Sequence, residues 1–486
     1  MQDQPNILYF NPDQLRADML GCYGNKLVPT PNFDRLAREG TRFDQCHVQH
    51  TVCTPSRCSF MTGWYPHVRG HRTLWHMLGP DEPNTMRYLK NAGYAVHWIG
   101  KNDLLAPASF ASSVTRVHPW QWAGGASRDI FAQDHPGYQS FLFSPSEEPT
   151  TDGNMIGQAI AFLRSEARAQ APFFLNLSLL LPHCPFTCPQ PWYDMIDPAS
   201  LPPQQAPLGD DGAPSYHRLI RRYRGLDRLD EGTLRKLRAV YMGMVAYLDH
   251  LLGQLLDTLE ETGLLDETVV FAFSDHGEWA GDYGLVEKWP AGLDDCLTRV
   301  PMLVRGPGVR AGHVVTSPIE CFDIMPTTLD VAGVECGHTH FARTMLPELQ
   351  GGAGDAQRVV FAEGGYAPHE PHCFEGFRGG AEDVNDPAGI YYLKGLQQQE
   401  NPESVGRCVM LRTGTHKLVF RIGDVCELYD LQADPMETHN LYGDASVAAI
   451  QRELEHRMLV WLVQTGDVTP WQRQPRGMPS PPVGCE

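Results

Sequence analysis

Positive charge is scarce in this 486-residue chain: 39 lysines and arginines face 58 aspartates and glutamates, a formal net charge of −19. An acidic chain has no general attraction for nucleic acid, so nucleic acid is not an expected partner, and an anionic ligand needs a pocket whose local charge opposes the global one. Long apolar runs are missing as well, since no stretch approaches the roughly 20 residues of a membrane span. The opening Met1-Gln2-Asp3-Gln4-Pro5 has neither a basic nor an apolar leader character, and the chain is expected to act in the cytoplasm, away from membranes. Thirteen cysteines form no C-x-x-C pair and are odd in number, which argues against a disulfide framework or a zinc cluster. Cys22, Cys46, Cys58, Cys184, Cys188, Cys296, Cys321 and Cys408 therefore read as reduced, small interior residues. Internal repeats and low-complexity runs are absent too.

What is present is a chain with 42% hydrophobic residues, long enough for one large body and a smaller one, because single cores stop growing at roughly 250–300 residues. Four short apolar runs read as buried strands: Ile7–Phe10, Ala95–Ile99, Phe173–Leu177 and Val269–Phe273. Helical patterns separate them. The clearest spans about Leu234 to Leu259, with Leu237, Val240, Tyr241, Met244, Leu248, Leu251, Leu252, Leu255 and Leu259 at helical spacing and Gly263 as its stop. This alternation predicts an α/β fold: a large, mostly parallel sheet sandwiched by helices over residues 1–375. From about 376 the texture changes. An irregular stretch through Gly379, Gly380, Asp383, Asn385, Pro387 and Gly389 precedes Val409–Arg412, Lys417–Ile422 and Val425–Tyr429. The Gly423-Asp424 turn makes the last two a hairpin, so residues 376–486 are expected to form a smaller α+β unit on an antiparallel sheet, with a helix from about Ala448 to Val463. The proline-rich tail after Thr469 reads as extended along the surface or as an oligomer contact, which leaves a homo-oligomer open.

Each of the four strands is followed within a few residues by polar groups: Asp13-Gln14, Lys101, His183 and Asp275-His276. In an open α/β sheet, groups just past the carboxyl ends of strands converge on one crevice. Solvated loop residues would look the same one at a time; four strands in succession point to a site.

The pentapeptide Cys53-Thr54-Pro55-Ser56-Arg57 adds a nucleophile. It fits a cysteine oxidised after translation to an aldehyde, and Ser56 to Thr62 reads as the opening of a helix whose positive end would face Cys53. Arg57 would then hold the nucleophile, or a ligand near it, with its forked donors. A competing reading keeps Cys53 as a thiol nucleophile beside an arginine, although such sites use a glycine-rich cradle where this chain has Thr-Pro-Ser. Together with Asp13-Gln14, Asp275-His276, Lys101, His183 and Lys288, the pentapeptide resembles the sulfatase family of the alkaline phosphatase-like superfamily, close to its arylsulfatase and phosphonate monoester hydrolase branch. The similarity runs from Pro5-Asn6-Ile7-Leu8 to Leu428-Tyr429-Asp430-Leu431 and Asp434-Pro435.

The resemblance implies that Cys53 becomes 3-oxoalanine (formylglycine) through a formylglycine-generating enzyme, and that a small anionic ester is the substrate. Asp13, Gln14 and Asp275 offer hard oxygens and His276 a nitrogen, a set suited to one divalent ion, Ca2+ or Mn2+ ahead of Mg2+, with the converted Cys53 as a further ligand. Lys101 in Gly100-Lys101, His183 in Pro182-His183-Cys184-Pro185 and Lys288 in Glu287-Lys288-Trp289 match family contacts to nucleophile and substrate oxygens. One position departs: where the family continues Gly-Lys-x-His, this chain has Gly100-Lys101-Asn102-Asp103. An aspartate, with an ordinary pKa of about 3.9 against about 6.5 for histidine, is the weaker base for the second half-reaction. The expected function is a sulfuric ester hydrolase, with a phosphonate monoester hydrolase or phosphodiesterase as the alternative.

Overall fold

The computed structural model describes residues 4–121, 123, 141–170, 172–209, 212–370, 387 and 391–470. Nine strands form the main sheet: β1 (Asn6–Asp13), β2 (Thr41–His47), β3 (Ala95–Gly100), β4 (Arg116–Val117), β5 (Phe173–Pro182), β6 (Thr268–Phe273), β7 (Arg299–Arg305), β8 (His313–Val315) and β9 (Ile319–Glu320). They lie in the order β4-β3-β5-β1-β6-β7-β2-β8, with β9 also on β2. All pairings are parallel except those of β7, which runs against both β6 and β2. The mixed, mostly parallel sheet is thus as expected, and each of the four runs read as strands is one.

Alternation along the strands builds a core on each face. Leu8, Phe10, Leu175, Leu177, Val270 and Ala272 pack into one cluster; Ile7, Tyr9, Phe174, Val269, Phe271 and Phe273 pack into the other. Burial on both faces explains why these strands read as continuous apolar runs. The long helix spans Glu231–Glu261, and its N-cap Asp230 accepts the Thr233 N–H. Its apolar stripe is buried against the sheet, and Gly263 at φ 67° follows its end. Tyr241 on that stripe donates its hydroxyl to the Gln14 carbonyl at 2.7 Å, so the helix braces the turn that leaves β1.

A second, antiparallel sheet joins β10 (Val360–Gly364), β11 (Cys408–Arg412), β12 (His416–Arg421) and β13 (Glu427–Asp430) in that order. Its first strand lies before residue 376, because Val360–Gly364 pairs with β11 and at the same time meets the main body: Glu363 donates its N–H to the Gln49 carbonyl at 2.8 Å. The C-terminal helix, Ala448–Thr465, packs Trp461 flat on Phe361 and edge-on to Tyr65. Gly379, Gly380, Asp383, Asn385, Gly389 and the tail beyond 470 lie outside the described residues. Among the described residues, no helix is long and apolar enough to cross a membrane.

Gly100 closes β3 at φ 108°, and a Cβ there would sit 2.0 Å from the Ser178 carbonyl oxygen of β5. Both the left-handed backbone and the close approach exclude a side chain. Gly100→Ala is expected to destabilise the protein by about 2–4 kcal/mol, seen as a lower urea midpoint at unchanged slope.

Candidate active site

The topology brings the predicted residues together. β3, β5, β1 and β6 are adjacent in the sheet, so Lys101, His183, Asp13-Gln14 and Asp275-His276 leave it side by side at its carboxyl edge. Cys53 follows β2, which runs parallel to β6 because β7 opposes both, so it reaches the same edge from beyond β7. The helix that carries it spans Cys53–Thr62, three residues earlier than expected, so the cysteine is its first residue rather than a neighbour of its start. Pro55 is accommodated because first-turn N–H groups need no helical acceptor. The Ser56 hydroxyl donates to the Asp275 carbonyl at 2.6 Å and fixes this helix end to the end of β6.

The Cys53 sulfur lies 3.3 Å from His276 Nε2, 3.6 Å from Asp13 Oδ1 and 3.7 Å from Lys101 Nζ. Burial and the Asp13 charge push the thiol up, but Lys101, Lys288 and His276 outweigh them, and it sits below the ordinary cysteine value. Lys101 Nζ also contacts Asp13 Oδ2 and Asp103 Oδ2, each at 2.8 Å. Against the cost of burial, these carboxylates hold its ammonium well above the usual lysine range. Asp103 is therefore a counter-ion of Lys101.

Arg57 is not aimed at the cysteine. Its guanidinium reaches Asp275 Oδ2 at 2.8 Å, Asp13 Oδ2 at 3.1 Å, Asn11 Oδ1 at 2.9 Å and Ser178 Oγ at 2.5 Å, with 3% of the side chain exposed. It thereby ties the helix of Cys53 to β1, β5 and β6. Burial works against ionisation of Asp13, yet Lys101, His183, Arg57 and His276 hold its carboxyl well below the usual range.

Asp13, Cys53, Asp275 and His276 present four buried ligating atoms within 4.8 Å of one another. His276 Nδ1 lies 3.0 Å from the Gly277 carbonyl, which can only accept; Nδ1 therefore carries a proton, and Nε2 faces the cluster. Two carboxylates and one imidazole make a donor set that fits a divalent cation. Gln14 stands in left-handed backbone at φ 74°, a strained position for a residue with a side chain. Its N–H donates to Asp275 Oδ1 at 3.1 Å, its Oε1 accepts from Lys288 Nζ at 2.9 Å, and its amide nitrogen donates to Glu278.

Lys288 Nζ is also 2.7 Å from His183 Nε2. A contact this short between two nitrogens needs one lone pair, so Nζ and Nε2 share one proton between them, while His183 Nδ1–H donates to the Cys184 carbonyl at 2.5 Å. Asn11, Ser178, Glu278 and Glu287 were not singled out in the sequence. For Asn11 and Ser178 a signal exists: each is a polar residue inside an otherwise apolar strand.

Comparison with known proteins fits this geometry. The sulfatase family model matches residues 5–334, well over half of the chain. The chain belongs to the sulfatase family. A second model, for the C-terminal region of N-sulphoglucosamine sulphohydrolase, matches residues 389–464. An uncharacterized sulfatase of Escherichia coli is 26% identical, over 97% of this chain and 92% of its own length. The multifunctional alkaline phosphatase superfamily protein PehA of Trinickia caryophylli is 27% identical, over 97% and 98%. Among solved structures, the phosphonate monoester hydrolase of Silicibacter pomeroyi aligns with a TM-score of 0.76 at 26% identity, covering 95% of this chain and 96% of that one.

Arg57→Lys keeps the charge and removes the fork, leaving some of the four buried acceptors without a donor. A loss of about 2–4 kcal/mol is expected in denaturant unfolding, and an unchanged midpoint would show that the fork is not what holds the helix in place.

Proposed function

We propose that this sulfatase-family chain hydrolyses a sulfate ester with a nucleophile made from Cys53. The observation that carries the reading is the position of Cys53: at the first turn of a buried helix, within 4 Å of His276, Asp13 and Lys101. A sulfate ester repels nucleophiles through its own oxygens, so its hydrolysis needs a strong nucleophile, cations around the ester oxygens and a proton for the leaving group. The oxidised form of Cys53, 3-oxoalanine, supplies an aldehyde hydrate as the oxygen nucleophile, and a formylglycine-generating enzyme is the protein partner this modification requires. A divalent ion, Ca2+ or Mn2+ ahead of Mg2+, would be held by Asp13, Gln14, Asp275 and His276 and would supply Lewis acidity towards an ester oxygen.

The remaining work falls to the side chains of the chain itself. Lys101, charged and held by Asp13 and Asp103, faces the Cys53 position and offsets the negative charge gathering there. Lys288 and His183 share one proton between Nζ and Nε2, and this pair binds a sulfate oxygen and delivers the proton towards the leaving group. Arg57 orients Asp13 and Asp275. Cys53→Ala is expected to lower turnover by on the order of 10^3-fold or more while leaving the fold intact, and Cys53→Ser to be nearly as poor, since a serine ester cannot expel its anion as a hydrate does. Turnover close to that of the unaltered enzyme in either variant would contradict the mechanism.

A second reading, hydrolysis of phosphonate monoesters or phosphodiesters, is favoured by Asp103, which stands where sulfatases carry histidine and serves Lys101 instead, and by the 26% identity to a phosphonate monoester hydrolase over 95% of this chain. The two are separated by kcat/KM on an aryl sulfate, an aryl phosphonate and an aryl phosphodiester that share one leaving group, under saturating metal. The sulfate is expected to be fastest; a sulfate rate far below either of the others would reverse the assignment. Removal of Asp275 is expected to abolish both metal retention and turnover, whereas removal of the exposed Glu260 changes neither. Full activity with metal analysis reading zero would refute the metal's role.

A further inference from the structure

Behind Lys288 lies a buried charge group with no role so far. Glu287 is fully buried, on backbone at φ 70°, and its N–H donates to Glu278. Its Oε1 accepts from Lys394 Nζ at 2.7 Å and lies 3.2 Å from Lys288 Nζ; its Oε2 accepts from Arg224 Nη2 at 3.2 Å. Lys394 is distant in sequence, on the helix Tyr392–Glu400, and only 2% of it is exposed. A lysine does not reach such burial without a specific partner. Two ammonium groups thus compete for one carboxylate oxygen. Lys394 makes the short hydrogen bond, and Lys288 makes its own shorter contacts elsewhere, to His183 Nε2 and Gln14 Oε1.

The consequence is directional. Were Lys394 absent, Glu287 Oε1 would lose a 2.7 Å hydrogen bond, and the Lys288 ammonium, already 3.2 Å away, would close on it. The closer carboxylate, away from water, would offset more of the charge that Lys288 offers to an anion and would pull Nζ away from His183.

We propose that Lys394 is a positioning residue for recognition of the substrate's anionic group: by occupying Glu287 Oε1, it keeps the Lys288 ammonium turned towards His183 and Gln14. This rests on the sulfate ester reading above, in which Lys288 and His183 bind a sulfate oxygen. It also gives the C-terminal part of the chain a task in the site, since the helix that supplies Lys394 follows the end of the main sheet by some distance in sequence.

The test compares Lys394→Met, Lys394→Arg and the double variant Lys394→Met with Glu287→Gln, in the metal-loaded, modified enzyme. KM and kcat are measured with an aryl sulfate, the inhibition constant with inorganic sulfate, and Tm in parallel. Lys394→Met is expected to raise KM and the sulfate inhibition constant about 10-fold, with kcat changed less than about 3-fold. Lys394→Arg is expected to restore both, and the double variant to recover most of the sulfate affinity because the competing carboxylate is gone. A purely structural role predicts lower Tm without that recovery. Should Lys394→Met not fold, Lys394→Gln gives the same readout, with a rise of about 3-fold because an uncharged N–H donor is retained. Sulfate affinity unchanged in a folded Lys394→Met or Lys394→Gln, or a loss that neither the arginine nor the double variant recovers, overturns the proposal. Sulfate that fails to inhibit the unaltered enzyme contradicts the sulfate ester reading itself and takes this proposal with it.

Discussion

The site depends on one guanidinium. Arg57 stands one helical turn after Cys53 and joins carboxylates at the ends of β1 and β6 to polar groups inside β1 and β5. Two carboxylates brought this close and fully buried would repel each other, and one of them would take up a proton. The arginine's charge offsets that repulsion and its donors hold the two at a fixed separation, which a divalent ion requires. Because it sits on the helix that presents Cys53, the same contact sets the distance between nucleophile and metal ligands. A planar fork with five donors can do this; a point charge cannot.

Around that contact the protein solves a charge problem posed by its own composition. A chain with net charge −19 repels a sulfate ester at long range, so attraction has to be generated locally. Lys101, Lys288 and Arg57 supply it from inside the site, where screening by water and salt is weak. Each has a carboxylate neighbour that makes its burial tolerable: Asp103 and Asp13 for Lys101, Asp275 and Asp13 for Arg57, Glu287 for Lys288. The pairing with Glu287 is the loosest of these, and there a further cation, Lys394, takes the short bond.

Much of this was legible in the sequence because strands in a parallel sheet advertise themselves twice, by apolar runs and by the polar residues just past them. Ile7–Phe10, Ala95–Ile99, Phe173–Leu177 and Val269–Phe273 gave both the sheet and the edge where Asp13, Lys101, His183 and Asp275 meet. Other features were hidden for physical reasons. The helix was expected from Ser56, yet a proline in the first turn costs nothing, and Cys53 itself is helical. The place of Val360–Gly364 in the second sheet was not read, since antiparallel pairing with a segment over forty residues later leaves no local mark. The sequence pattern of Arg57 fits a ligand contact as well as a brace. Its target is decided by Asn11 and Ser178, whose polarity within apolar strands was the available clue.

The central claim is that the residue at position 53 acts as an oxidised cysteine. The most direct measurement is the mass of the peptide carrying Cys53, from protein made in a host that supplies the maturation enzyme. The account predicts a peptide lighter than the thiol form by about 18 Da, from replacement of sulfur by oxygen with loss of two hydrogens, and a reaction of that peptide with a carbonyl reagent such as a hydrazine. A fully active enzyme whose Cys53 peptide carries only the thiol mass, and which does not react with the hydrazine, would contradict it.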